Sequence, residues 1–303
     1  MRRLLAPVLA LIALAVAACG GDAADAAGTT VVATTTQAAD LARNVAGERA
    51  ATVGIIPPDA DPHEYELRPR DVQAIAEATL VIRSGGDLDE WLEEALDAAG
   101  DPDAETLTLI DHVDADEQAD PHWWHDPRNA VRAVRAIERA LAAGDRANAG
   151  AYARNAERYI GEIEALDGRI AACMEKIPAG ERKLVTTHDS LGYLADRYGI
   201  EVVGAVIPSR STRGQASAGE TARLVETIRR EGVRTVFTES SLSAEVEEAI
   251  ARDAGVALGE PLYADTLGRA GTPGGTYLDA LAHNAQALAA GFTGRPDACD
   301  LGA

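Results

Sequence analysis

Two runs of alternating strand-like and helix-like segments, parted by one long helical stripe, constrain this chain more than any other feature of its sequence. The first run predicts a strand over Thr30 to Thr36, a helix over Gln37 to Val45, and a strand over Thr52 to Ile56 stopped by Pro57-Pro58. A helix from Arg70 to Ala78, a buried strand Leu80-Val81-Ile82, a helix from Leu88 to Ala99 and a strand from Leu107 to Ile110 follow. This is the βαβ rhythm of a parallel sheet clothed by helices. Asp126-Pro127 then offers an N-cap with proline at the first helical position, opening a helix to Ala143 that Gly144 stops.

The stripe runs from Arg146 to Ile177. Its apolar positions, Tyr152, Ala156, Tyr159, Ile163, Leu166, Ile170, Met174 and Ile177, are spaced by threes and fours. Such a helix would be about 48 Å long, more than one sheet layer needs, so it reads as a connector between lobes. Alternation then restarts: strand Leu184 to Thr187, helix Leu191 to Tyr198, strand Glu201 to Ile207, helix Ser217 to Arg230 with Ser217 and Glu220 as a capping box, strand Thr235 to Thr238, helix Ala244 to Ala254, strand Val256 to Leu258 and helix Tyr277 to Ala290. The expected fold is α/β: a first βα lobe over 29–144, a connecting helix over 145–180 and a second βα lobe over 181–303, each lobe with a parallel sheet.

The first residues stand apart from this plan. Arg2 and Arg3 precede an apolar run, Leu4 to Ala18, shorter than the roughly 20 residues of a membrane-spanning helix. The run ends Val16-Ala17-Ala18-Cys19, which resembles a bacterial lipobox. Residues 1–18 therefore read as a signal peptide and 19–28 as a flexible tether lipidated at Cys19, placing the chain outside the cytoplasm on a lipid anchor. Export permits disulfides, and with Cys19 lipidated only Cys173 and Cys299 remain to pair. That bond would tie the C-terminal tail to the central helix and contribute about 4–5 kcal/mol in the chain-entropy model. The net charge of -21 argues against nucleic acid, whose phosphates need a basic surface, and biases the surroundings toward small cations.

Of six histidines, three occupy comparable places. His63 follows a strand, in Asp59-Ala60-Asp61-Pro62-His63-Glu64-Tyr65. His122 lies between a strand and a helix start, in Asp120-Pro121-His122-Trp123-Trp124-His125-Asp126-Pro127, and His188 ends a strand, in Val185-Thr186-Thr187-His188-Asp189. Asp265, in Leu262-Tyr263-Ala264-Asp265-Thr266-Leu267-Gly268, sits in the corresponding loop near the end. Ligand sites in open α/β sheets gather at the carboxyl ends of strands. Three imidazoles and a carboxylate suit Zn²⁺ in near-tetrahedral geometry. Taken singly, His63 or His188 reads as an ordinary surface or hydrogen-bonded histidine, and His112 and His283 read as structural. His122 and His125, three apart, leave open which of them is a ligand. Glu239, at the strand end Thr238-Glu239-Ser240-Ser241, suits either orienting a ligand imidazole or capping a helix.

These segments resemble those of the zinc- and manganese-specific solute-binding lipoproteins of bacterial ABC importers, from Val31-Val32-Ala33-Thr34-Thr35-Thr36 to Tyr277 and His283-Asn284. The resemblance implies two βα lobes joined by one rigid helix, a metal in the interlobe cleft, and a metal-ion ABC permease as partner. It assigns the ligands as His63, His122, His188 and Asp265, leaving His125 as an extra residue. Histidine at the third position, His188, leans toward zinc. The acidic stretch from Asp111 to Asp120, standing where many zinc-specific relatives carry a long His-rich loop, keeps manganese open; it reads as a solvated loop, with weak metal recruitment assisted by His112 as the alternative. The expected protein is a monomeric, high-affinity Zn²⁺ carrier and not an enzyme. A zinc hydrolase, using Glu64 or Glu239 as base, and a surface adhesin are the competing readings.

Overall fold

The structure, a computed structural model, describes residues 28–100, 104–115 and 120–301. Cys19, the signal segment and part of the acidic stretch lie outside the described residues.

The first lobe runs β1 (Thr30–Ala33), α1 (Thr36–Ala46), β2 (Ala51–Gly54), α2 (Pro69–Ala76), β3 (Leu80–Arg83), α3 (Leu92–Ala98) and β4 (Glu105–Thr108). Its strands form one parallel sheet in the order β2-β1-β3-β4. Two long helices follow, α4 (Pro127–Gly144) and α5 (Ala149–Met174). The second lobe contains β5 (Lys183–His188), α6 (Gly192–Tyr198), β6 (Glu201–Ile207), α7 (Ala218–Glu231), β7 (Thr235–Val236), α8 (Glu245–Ala254), β8 (Ala257–Leu258) and α9 (Tyr277–Thr293). Here β5 pairs with β6 and β7 with β8, both in parallel. The backbone bond from Phe237 N to Val185 O (2.9 Å) links the two pairs. The strand order β6-β5-β7-β8 repeats the pattern of the first lobe.

Strand periodicity explains the layering. Alternate side chains of a strand leave opposite faces. Val31 and Ala33 enter a large core shared by both lobes, whereas Val32 enters a smaller cluster with Ile75 and Leu92. Leu184 joins the shared core, and Val185 joins a third cluster with Val225 and Ile250. The shared core is continuous through α5, whose Tyr152, Ala156, Tyr159, Ile163, Leu166 and Ile170 are all buried in it.

Some boundaries differ from those read in the sequence. The long helix begins at Ala149 rather than Arg146 and ends at Met174, giving 26 residues and about 39 Å. Asp145 is the cause at the front. Its carboxylate accepts bonds from Asn148 Nδ2 (2.7 Å) and from the Tyr152 hydroxyl (2.8 Å), fixing a turn ahead of the helix. Helix α3 starts at Leu92 instead of Leu88, because the buried Asp89 carboxylate is held out by the Ser84 and Gly85 N–H groups and the Thr34 hydroxyl. The Ser217–Glu220 capping box and the Asp126 cap both form. Cys173 and Cys299 are disulfide-bonded, fastening the C-terminal tail to the end of α5.

Candidate metal centre

His63, His122, His188 and Asp265 come together between the lobes, where each offers one atom within 4.8 Å of all the others. The four side chains arrive from strand ends and the loops beyond them. His63 lies in the connection after β2, His122 beyond β4, and His188 at the last position of β5. Asp265 follows Leu262, which bridges Glu239 beyond β7. Two ligand candidates thus come from each lobe.

The three imidazoles form a nearly equilateral triangle, with ring centroids 5.8, 5.7 and 5.3 Å apart. Asp265 faces all three. Its Oδ2 lies 3.4 Å from His63 Nε2 and 3.2 Å from His188 Nε2, and its Oδ1 lies 3.2 Å from His122 Nε2. These five atoms are buried and face only one another, with no hydrogen-bond partner outside the cluster among the described residues. Buried polar atoms in that condition are costly unless a ligand satisfies them. Ligands spaced about 3.4 Å apart are those of a tetrahedral site with bonds near 2.1 Å, so the donors fit a transition-metal ion.

Surrounding groups fix the rings. His122 Nδ1 lies 2.7 Å from Asp120 Oδ1, which also accepts the His122 backbone N–H at 3.0 Å. His188 Nδ1 lies 2.6 Å from Glu239 Oε1. With Nδ1–H donating outward, Nε2 of each ring is turned toward the centre. The His63 backbone N–H donates to Asp61 Oδ1 (2.9 Å), and the Thr212 hydroxyl of the second lobe donates to the other Asp61 oxygen (2.7 Å). The tripeptide Asp-Pro-His therefore recurs at 61–63 and 120–122, each time with the Asp capping the His backbone. Gly86, at φ +72°, gives the second tripeptide room, because a Cβ there would stand 2.7 Å from Pro121 Cβ.

Trp124 and Asn284 hold the Asp265 loop. The Trp124 indole donates to the Ala264 carbonyl (3.1 Å), and the Tyr277 hydroxyl donates to the Trp124 carbonyl (2.7 Å). Asn284 bonds both the N–H and the carbonyl of Tyr263. Asp120, Thr212 and Asn284 escaped the sequence reading as contributors to the site. The recurring Asp-Pro-His was the signal for Asp120.

The remaining histidines stand outside the cluster. His125 is buried beside Trp124, on the turn after His122. His112 is exposed, and His283 on α9 meets the Pro261 carbonyl through Nε2 (2.9 Å).

Charges in the metal-free site follow from its geometry. Burial disfavours the charged form of His122, but the Asp265 and Asp120 carboxylates outweigh it and lift its pKa to about 9. Burial is likewise outweighed at His188, where Asp265 and Glu239 lift the pKa to about 11. Burial would raise Asp265, yet the two imidazoliums hold it well below the usual carboxylate range. Burial raises Glu239 despite its bond from His188. His125 goes the other way, lowered to about 3 by burial and by the charge on His122.

Glu239→Gln is expected to weaken transition-metal binding by about 10–100-fold, because the partner of a ligand imidazole sets both its orientation and its basicity. Chelator-competition titration measures this. An unchanged affinity would leave Glu239 with a packing role only.

A sequence profile of the family described as "Zinc-uptake complex component A periplasmic" matches residues 31–291. The chain is 30% identical over 293 residues to the manganese-binding lipoprotein MntA of Halalkalibacterium halodurans, covering 94% of this chain and 97% of that protein. It is 31% identical over 268 residues to the iron-binding protein YfeA of Yersinia pestis, covering 86% of each. It is 30% identical over 271 residues to the zinc-binding protein TroA of Treponema pallidum, covering 86% of this chain and 87% of that one. The solved structure of that TroA matches with a TM-score of 0.80 at 26% identity, over 87% of this chain and 99% of that chain. Relatives named for manganese, iron and zinc thus stand at nearly equal identity, and similarity alone does not choose the ion.

Proposed function

This chain belongs to the zinc-uptake component A family, and on that premise we propose that it captures Zn²⁺ outside the cytoplasm and hands it to the membrane permease of an ABC importer. The ligands in this reading are His63, His122, His188 and Asp265. The observation that carries it is the convergence of three buried imidazole nitrogens on one buried carboxylate, none of them with a hydrogen-bond partner outside the cluster among the described residues. Three nitrogens to one carboxylate is a donor set that favours zinc over manganese, which prefers oxygen.

Manganese has one observation on its side. Both Asp265 oxygens face imidazoles, so a bidentate carboxylate can raise the coordination number above four. A hydrolase reading has less. Four protein donors complete a tetrahedral shell and leave no position for an activated water. Glu239 is engaged by His188 rather than free as a base.

Lipidation at Cys19 would hold this monomer at the membrane, and the name of the MntA relative, a lipoprotein, supports that assignment. Release to the permease works through loop and small lobe shifts. The core shared through α5 and the bonds from Trp124 to Ala264 and from Leu267 N–H to Thr36 Oγ1 (2.8 Å) oppose a wide hinge.

Elemental analysis and native mass spectrometry of protein purified without added metal test the reading, together with Zn²⁺/Mn²⁺ competition. The expected result is one Zn²⁺ per chain, not displaced by equimolar Mn²⁺. Mn²⁺ retained against equimolar Zn²⁺ would assign manganese, because Zn²⁺ stands above it in the general affinity order.

A further inference from the structure

His63 is held differently from the other two imidazoles. His122 and His188 each turn Nδ1 onto a carboxylate, and each sits in a stretch tied to its own lobe. Next to His122, the Trp123 indole donates to Ser84 Oγ (3.2 Å) of the first lobe. His188 closes β5 and pairs there with Ile207 of β6. His63 meets a carboxylate through Nε2, at 3.4 Å from Asp265, the longest of the three approaches.

Segment 57–64 belongs to the first lobe by sequence. Among the described residues, however, the hydrogen bonds and ion pairs it makes beyond its own turns all reach the second lobe. The Asp59 N–H donates to the Leu267 carbonyl (3.1 Å), and the Asp59 carboxylate lies 3.0 Å from Arg269 Nε. Asp61 accepts the Thr212 hydroxyl at 2.7 Å, and Glu64 Oε1 stands 3.7 Å from Arg213 Nε. Asp59 also adopts φ +65°, in the left-handed region that residues other than glycine seldom enter. Such a turn persists where its surroundings hold it, and here the opposite lobe supplies them.

These contacts are unequal. The Arg269 and Arg213 side chains are 79% and 64% exposed, and ion pairs so open to solvent contribute little. The Thr212 bond is short, part-buried and ends on a carboxylate, which puts it in the stronger class. It also lies in line with the metal cluster. One Asp61 oxygen takes the Thr212 hydroxyl while the other takes the His63 backbone N–H at 2.9 Å.

We propose that Thr212 is a positioning residue for metal binding. From the second lobe it fixes Asp61, and through Asp61 the first-lobe ligand His63, which is therefore the first ligand to leave when the lobes shift. This rests on the ligand set proposed above.

The test is the rate of Zn²⁺ release from the full mature protein into a chromogenic pyridylazo chelator, at concentrations where the rate no longer depends on the chelator. Thr212→Val keeps the side chain's shape and removes its donor. Release should accelerate about tenfold, the lower end of what a hydrogen bond to a charged group contributes, because the pair is only part-buried. Thr212→Ser, which keeps a hydroxyl, should recover most of that loss. In a His63→Ala background Thr212→Val should no longer change the rate, whereas in a His188→Ala background it should keep its full effect. Release from Thr212→Val within about twofold of wild type, or the same acceleration with and without His63, would overturn the proposal. A wild type that retains no Zn²⁺ through desalting fails the proposed function and takes this inference with it. A wild type that retains Zn²⁺ and releases it at a rate indifferent to Thr212 fails this inference alone.

Discussion

Asp265→Asn is expected to lower Zn²⁺ affinity by about two to three orders of magnitude. Asp265 faces all three imidazoles, with Oδ2 toward His63 and His188 and Oδ1 toward His122. It is also the one anionic donor in the cluster. Zinc sites of four protein donors bind with about 10–16 kcal/mol near neutral pH, so one donor's share is about 3–4 kcal/mol. At about 1.4 kcal/mol per decade, that gives the stated loss. Asparagine keeps the shape and one carbonyl oxygen, which limits disturbance of the loop that Trp124 and Asn284 clamp. Chelator competition measures the affinity, and a thermal melt of the metal-free variant checks the fold. A dissociation constant within threefold of wild type would remove Asp265 from the site. The same variant bears on the metal-free state. With the carboxylate gone, the largest force holding protons on His122 and His188 disappears, so fewer protons should leave when Zn²⁺ enters.

Much of this cluster could be read along the chain, because its four residues obey a topological rule. Each follows a strand, and strand ends are marked locally by β-branched runs that stop, as at Val185-Thr186-Thr187-His188. The fold was legible for the same reason. Val31, Val32 and Ala33 alternate between two cores, and α5 carries its apolar residues in threes and fours. The misplaced helix starts trace to side chains that compete with the helix for backbone or neighbours: Asp145 and Asp89. Such competition depends on partners that propensity does not include. Strands β7 and β8 are two residues each, so their place in the sheet is set by bonds such as Phe237 N to Val185 O rather than by their own pattern.

The parts of the site that were not legible are long-range. Trp124 and Ala264 are 140 positions apart, and Leu267 and Thr36 are 231 apart. No local spacing announces such pairs. Asp120 is different. It closes an acidic stretch that reads as solvated, yet its carboxylate is spent on His122. A net negative stretch and a residue that orients an imidazole look alike until burial is known; the repetition of Asp-Pro-His at 61–63 and 120–122 is the one local sign that separates them.

Metal affinity should fall steeply as the medium is acidified, with close to two protons exchanged per ion at neutral pH. The sign follows from which form binds. Zn²⁺ needs the Nε2 lone pair of each imidazole, so every proton held there must leave first. In the metal-free site His122 holds its proton up to about pH 9 and His188 up to about pH 11. At pH 7 both are protonated, and both Nε2 protons are displaced, while each Nδ1–H stays bonded to Asp120 or Glu239. Asp265, held well below the usual carboxylate range, is ionised throughout and contributes no proton. The apparent dissociation constant should therefore rise by up to about a hundredfold for each unit of pH lost between 8 and 6, once the chelator's own protonation is corrected. Above about pH 9 the slope should drop toward one proton, as His122 loses its proton before metal arrives. Calorimetry in buffers of different ionisation enthalpy counts the protons directly. A count near zero at pH 7 would mean that the free site keeps its imidazoles neutral, and that Asp265 attracts the incoming ion without first having to give up the protons of its neighbours.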